Sequence, residues 1–373
     1  MPFVLFFSLY HKIWRLASES FSNDLTNGRK RDKIKITNST AGRNRKSVMI
    51  IMGTAGILGA VVGGVAAVGA AASFGGAVKL FRSVIPRQNE LRVDLNEMAD
   101  MQKWEEYKKI IHPSKEWLLQ QPLEPVTIQA RDGIHLHGHY LPSEQPGKRL
   151  VIGLHGYTSN GLSNFCSLAP FFQKMGFDCL IVDHRAHGES EGDYVGFGIL
   201  DRYDCLAWIR YALNRFGKDL EILLYGVSMG ATTALMTLGL PELPSAVKGA
   251  VADCAFTSPY DVFSHILRRD YKLPPFPVMN ICDCFCKKKA GYGFQDYSTL
   301  TALQQTHCPV LLIHGKEDKF VPTWMSQKNY EVCRAPKQLL LVDNAGHGAS
   351  YYENQTEYEK AVSEFVQKWM PVK

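Results

Sequence analysis

The sequence predicts an α/β protein whose core is a mostly parallel, eight-stranded sheet with helices on both faces. From Leu123 onward, short apolar runs alternate with stretches of helical period, the order that builds a parallel sheet through crossover helices. Several of the runs are continuously apolar, as in "RLVIGLH" and "PVLLIHG", which suits strands buried on both faces. A third observation is the stretch "EILLYGVSMGATTA", in which Ser228 stands between a strand and a helix with Gly226 and Gly230 two residues to either side. Small flanking residues of this kind let a serine sit on a sharp strand-to-helix turn.

Taken in order, the strands are "VTIQA", "IHLHGHYL", "RLVIGLH", "DCLIVDH", "EILLYGV", "KGAVADCAF", "PVLLIHG" and "KQLLLVDN". Helices are expected near Asn164 to Lys174, from Asp201 to Phe216, from Met229, near Met325 to Cys333, and from Asn354 to Met370. An interruption over 259–307 separates the sixth strand from the seventh. It contains Phe263, Tyr271, Phe276, Phe285, Tyr292, Phe294 and Tyr297, with Pro274, Pro275 and Pro277. Ahead of the first strand, residues 80–122 are charged and hold the helical stretch "ELRVDLNEMADMQKWEEYKKII", broken at Pro113, Pro122 and Pro125. This is read as a stalk that docks on the following domain.

The chain of 373 residues is thus one globular domain with an appendage. Residues 1–46 form a basic tail in which ten Lys and Arg face Glu19, Asp24 and Asp32, so the tail carries more than the net charge of +6 of the whole chain. The body is close to neutral, which gives no support for nucleic-acid binding. Residues 47–78 contain no charged side chain; as a helix they would extend about 48 Å, against the ~30 Å of a hydrocarbon core. A single transmembrane helix over 47–79 is expected. A cleaved signal peptide ending near Ala70 to Ser73 and a buried Gly/Ala-rich core helix are the alternatives. Gly56, Ala60 and Gly64, with Gly59 and Gly63, are spaced for close approach of two such helices and weak self-association. Eight Lys and Arg lie within the 20 residues before Ser47, against Lys79, Arg82, Arg87 and Arg92 on the other flank. That asymmetry is expected to keep the tail in the cytoplasm and to place the domain from Leu123 onward outside the cell membrane. The nine cysteines, an odd number without framework spacing, argue instead for reduced thiols.

"LHGYTSNG" after the third strand, "DHRAHGES" after the fourth, "GVSMG" after the fifth, "HGKEDKFVP" after the seventh and "NAGHG" after the eighth stand in one order. In these five landmarks the chain resembles the α/β-hydrolase superfamily from about Leu123 to its C-terminus. The landmark "DHRAHGESEG" and a single HG pair resemble bacterial membrane-associated hydrolases of the serine aminopeptidase and monoacylglycerol lipase-like kind. The resemblance implies an α/β-hydrolase fold, a lid over 259–307, and an acid after the seventh strand.

A serine hydroxyl needs a base within reach and a group that orients that base. Ser228 is the expected nucleophile and His347, between Gly346 and Gly348, the expected base. Asp318 is the acid that the resemblance implies, giving the chain order Ser, Asp, His. Asp253 is the runner-up acid, and Asp343 is read as a structural strand-end residue. The resemblance also implies an oxyanion hole made by the backbone N–H groups of Tyr157 and Met229, with the Tyr157 ring either shaping an acyl pocket or exposed on a loop. His155 and His184 are read as structural. His135, His137 and His139 share one face of a strand, and Cys282, Cys284 and Cys286 crowd one helix; a solvated outer face accounts for the histidines, and only the first and third cysteines share a helical face, so no metal is expected.

The function expected is a serine hydrolase acting on carboxylic esters through an acyl-enzyme, with no cofactor and a small-molecule ester or amide as partner. A peptidase or aminopeptidase would use the same triad but needs a carboxylate for the substrate amine, for which the insertion offers Asp261, Asp270, Asp283 and Asp296. Acyl transfer to an acceptor other than water is a third reading. A non-catalytic membrane-bound binding module would have no reason to keep all three triad residue types in order.

Overall fold

A computed structural model describes residues 69–87, 101–144 and 148–371. The basic tail 1–46 and most of the expected transmembrane segment, including Gly56 to Gly64, lie outside the described residues. Residues 69–84 are helical, and among the described residues no helix is long and apolar enough to cross a membrane.

The chain divides into two compact units. The larger comprises Leu80–Ile266 and Asp283–Lys373, and the smaller comprises Leu267–Cys282 with the chain up to Lys79. Within the smaller unit, the Leu273 N–H donates to the Leu267 carbonyl at 3.1 Å and the Met279 N–H to the Pro275 carbonyl at 2.7 Å, bracketing the proline-rich turn. Phe276 in that turn is 70% exposed.

The larger unit is built on β1 (Glu124–Gln129), β2 (His135–Leu141), β3 (Arg149–Leu154), β4 (Asp178–Val182), β5 (Glu221–Val227), β6 (Val247–Asp253), β7 (Val310–Gly315) and β8 (Lys337–Val342). They form one sheet in the order β1-β2-β4-β3-β5-β6-β7-β8. β2 is antiparallel to β1 and β4, and every pair from β4 to β8 is parallel. Successive side chains of a strand point to opposite faces. Leu150, Ile152, Leu224 and Leu312 therefore enter one core with Trp208 and Leu235, while Val151, Leu223, Val251 and Leu311 enter the other with Phe172 and Phe365. Burying each such side chain stabilises the fold by about 1.5–3 kcal/mol relative to exposure. The demand on both faces is what makes the central strands continuously apolar.

Two expectations are corrected. Helix Met101–Leu119 runs through Pro113 instead of breaking there; a proline removes one backbone donor and kinks a helix, and here the helix is held from outside. Lys103 Nζ donates to the Asn344 carbonyl at 2.8 Å and to Glu353 at 2.7 Å, and the Tyr107 ring stacks on Tyr352 at 5.3 Å. The helix expected over Asn164 to Lys174 is two short helices, Gly161–Phe165 and Ala169–Lys174. Asn160 caps the first by accepting from the Ser163 N–H, and a proline opens the second. The insertion over 259–307 closes with a helix. Its last helix, Thr299–Gln305, packs in the helical layer against Met229–Leu238 and Trp324–Val332, where Thr299 Oγ1 donates to Asn329 Oδ1 at 2.5 Å.

Residues 80–87 pack against residues 188–195. The Val195 N–H donates to the Ile85 carbonyl at 2.8 Å, and the Arg87 guanidinium donates to the carbonyls of Gly188 and Ser190.

Candidate active site

Parallel strands that are neighbours in the sheet end at the same edge, so the loops after β5, β6, β7 and β8 meet there. Ser228 follows β5 directly. Its φ of 55° and ψ of −113° lie outside the regions ordinary residues favour, a strain of about 1–3 kcal/mol. The turn is held because the Ser228 N–H donates to the Asp253 carbonyl at 2.8 Å, while the Ser228 carbonyl accepts from the Thr232 N–H at 2.9 Å. The flanking glycines have a steric cause. A Cβ on Gly226 would lie 2.3 Å from the Gly230 carbonyl carbon, and one on Gly230 would lie 2.1 Å from the Leu154 oxygen.

The loop after β7 carries Asp318 and the loop after β8 carries His347. The two loops dock through the Glu317 N–H, which donates to the Ala345 carbonyl at 2.9 Å. His347 Nδ1 donates to Asp318 Oδ2 at 2.7 Å, and Ser228 Oγ donates to His347 Nε2 at 2.9 Å. Asp318 Oδ1 accepts the N–H groups of Phe320 and Val321, both at 2.9 Å. The proton assignments follow from this network. Ser228 and Asp318 are buried and His347 is half-buried.

Burial by itself would raise the pKa of Asp318, but the His347 imidazole and the hydrogen bonds from His314 and His347 hold it well below the usual carboxylate range. Burial would likewise lower that of His347, and the Asp318 carboxylate more than reverses this, raising it well above the ordinary histidine value. A base must be neutral to take a proton, so activity should rise with pH as His347 deprotonates. The acid limb of kcat/KM should therefore centre above ~6.5 and move down in Asp318→Asn. A pH–rate profile of both proteins checks this, and a wild-type acid limb well below that value would contradict the coupling.

Asp253 does not bond to His347. It accepts from Ser350 Oγ at 3.1 Å, and burial pushes its pKa up to about 6. Asp343 is a surface residue paired with Lys316 at 2.6 Å. The main chain of Met229 opens the helix Met229–Leu238, so its N–H lacks an acceptor within the helix. Tyr157 follows β3. Its ring is held by a hydrogen bond from its hydroxyl to the Val84 carbonyl at 3.0 Å and by Phe197 at 5.1 Å. His155 and His184 lie in a buried cluster with His187, where the His184 N–H donates to His155 Nε2 at 3.0 Å. Burial pushes His155 well below the ordinary value and His184 down to about 4. They are neutral rings packed behind the turn.

Of the strand histidines, His135 pairs with Glu191 at 3.1 Å, and His137 lies 3.9 Å from Glu189. Cys282 and Cys286 are buried, Cys284 is exposed, and none of the nine cysteines is joined in a disulfide. In the larger unit, Phe263, Tyr292 and Phe294 are buried and form a ring contact series that reaches Phe197. Packing therefore accounts for these aromatic residues.

One side chain at the site was not singled out from the sequence. Cys254, which follows β6, is fully buried with φ 49°, and its Sγ lies within 4.8 Å of a ring nitrogen of His347. The signal in the sequence was its place directly after the sixth strand, next to Asp253.

Residues 149–277 match a family model described as the alpha/beta hydrolase fold. The Bacillus subtilis protein YqkD is 33% identical over 241 residues, which cover 64% of this chain and 78% of that protein. The chain belongs to the α/β-hydrolase superfamily. Polyketide transferase ATR5 of Stachybotrys chlorohalonatus is 31% identical over 65% of this chain and 98% of its own length. Among solved structures, the Pyrococcus furiosus esterase Pf2001 superposes with a TM-score of 0.55 at 25% identity, covering 68% of this chain and 94% of that one. The chain is a hydrolase of this superfamily with esterase-like neighbours.

Proposed function

We propose that the protein cleaves carboxylic esters of small molecules through an acyl-enzyme formed on Ser228. The observation that carries this reading is the unbroken hydrogen-bonded series from Ser228 through His347 to Asp318 on a strained turn. Ser228 Oγ attacks the ester carbonyl as His347 Nε2 takes its proton, and Asp318 keeps the other ring nitrogen protonated. The N–H groups of Met229 and Tyr157 receive the oxyanion. His347 then protonates the departing alcohol, and water repeats the sequence on the acyl-enzyme.

The likeness to the Pyrococcus furiosus esterase supports an ester substrate. The insertion offers little to a substrate amine. Asp261 accepts from Thr257, Asp270 from Arg269, Asp283 from the Phe294 N–H and Asp296 from the Gly293 N–H. Acyl transfer to another acceptor is the second reading, favoured by the likeness to ATR5. A panel of esters of increasing acyl length, set against amino-acid amides and run with and without added alcohol acceptors, tests the choice. Hydrolysis of the esters alone is expected, and turnover of only the amides would sink the proposal.

We also propose that residues 47–79 cross the cell membrane with the catalytic domain outside. The support is the uncharged run and the flanking excess of Lys and Arg. Protease added to intact spheroplasts should digest the domain from Leu123 onward. A domain that survives until the membrane is permeabilised faces the cytoplasm.

A further inference from the structure

The end of β6 lies between the strands that carry the nucleophile and the acid, and it brings a thiol into the hydrogen-bonded series. One ligand atom each from Cys254, Asp318 and His347 lies within 4.8 Å of the others. They are the only group of three such side chains among the described residues. Cys254 is held there by its N–H, which donates to the Ile313 carbonyl at 2.9 Å. Cys254 and Asp318 are buried, while the His347 side chain beside Ser228 keeps 12% exposure, the side from which an ion would enter.

We propose that Cys254, Asp318 and His347 form an inhibitory site for a thiophilic divalent cation, with zinc as the best fit. A sulfur, an imidazole nitrogen and a carboxylate oxygen are a zinc donor set, whereas magnesium and calcium prefer oxygen alone. Tetrahedral zinc bonds of ~2.0–2.3 Å put ligand atoms roughly 3.3–3.7 Å apart, so the three groups need to move by no more than about 1.5 Å. On binding, the Cys254 thiol gives its proton to solvent, His347 ligates as the neutral imidazole through its unprotonated nitrogen (an imidazolium first loses one proton), and a water completes the coordination. The metal then occupies the nitrogen lone pair or the carboxylate on which proton transfer depends, so the cation and acyl transfer exclude one another. The inhibition arm rests on the proposed esterase reading, while the binding arm rests on geometry alone.

The test uses the purified full-length chain, stripped of metal in a non-chelating buffer. Zinc chloride should lower ester hydrolysis at least tenfold, and EDTA should restore it. Each variant is compared with its own metal-free rate. Cys254→Ala should require at least tenfold more zinc for the same loss, whereas Cys284→Ser, which removes the exposed thiol, should respond as wild type. Cadmium chloride supplies a second readout through the ultraviolet charge-transfer absorption of a cadmium thiolate, which Cys254→Ala should lose and Cys284→Ser should keep. If the alanine variant does not fold by circular dichroism, Cys254→Ser replaces it, since a hydroxyl is a poor ligand for these ions. Equal zinc sensitivity and an unchanged cadmium band in the Cys254 variant would overturn the site. A protein with no esterase activity still reports through the band, so failure of the site and failure of the esterase reading are distinguishable.

Discussion

Ser228→Ala is expected to abolish both covalent labelling by a fluorophosphonate and ester hydrolysis, with a fall of roughly 10^5 to 10^6-fold in kcat. In the proposed mechanism the hydroxyl forms the acyl bond, and among the described residues no second nucleophile stands in the same relation to His347. Ser228 Oγ lies 2.9 Å from Nε2. Cys254 approaches the same ring from β6, but burial raises its pKa and keeps the thiol protonated. Alanine removes the hydroxyl while leaving the backbone bonds of the turn, from the Ser228 N–H and to the Ser228 carbonyl, in place. Thermal denaturation within a few degrees of wild type would show that the loss is chemical. Mass spectrometry of the labelled protein identifies the modified residue, and persistent labelling of the alanine variant would place the nucleophile elsewhere.

Asp318→Asn should lower kcat by roughly 10^4-fold, and Asp253→Asn by less than roughly tenfold, or about 1.4 kcal/mol of barrier. The difference comes from what surrounds each carboxylate. Oδ1 of Asp318 accepts two backbone N–H groups, from Phe320 and Val321. In an asparagine the carbonyl oxygen must keep that position, which turns the amide NH2 toward His347 Nδ1. A donor there forces Nδ1 to accept, so the proton moves to Nε2 and faces Ser228, the tautomer that cannot act as a base. Asp253 instead accepts from Ser350, and its replacement leaves the imidazole tautomer unchanged. Steady-state kinetics of the two variants, with circular dichroism to confirm folding, decide the matter. The reverse order of losses would assign the acid to the end of β6.

The fold was legible because its cause is local. Alternating apolar runs and helical periods are properties of the chain itself, and a strand buried on both faces has to be apolar throughout. Gly226 and Gly230 were legible for a related reason, since a turn that tight excludes a Cβ wherever it occurs. Pro113 and the two helices near residue 165 were less legible, because packing against Asn344, Glu353 and Tyr352 decided one and capping by Asn160 shaped the other.

The residue types and chain order of Ser228, Asp318 and His347 were determined by the sequence alone, with the strand-end positions that let them converge. Tertiary structure decided which carboxylate bonds to His347, because Asp253 ends β6 and Asp318 lies in the loop after β7 at the same edge, and only the pairing of the last two loops aims Asp318 at the ring. It also decided that residues 80–87 pack beside Tyr157, and that Cys254 joins the site. β6 pairs between β5 and β7, and such adjacency arises from hydrogen bonds between segments distant along the chain, which a local pattern cannot encode.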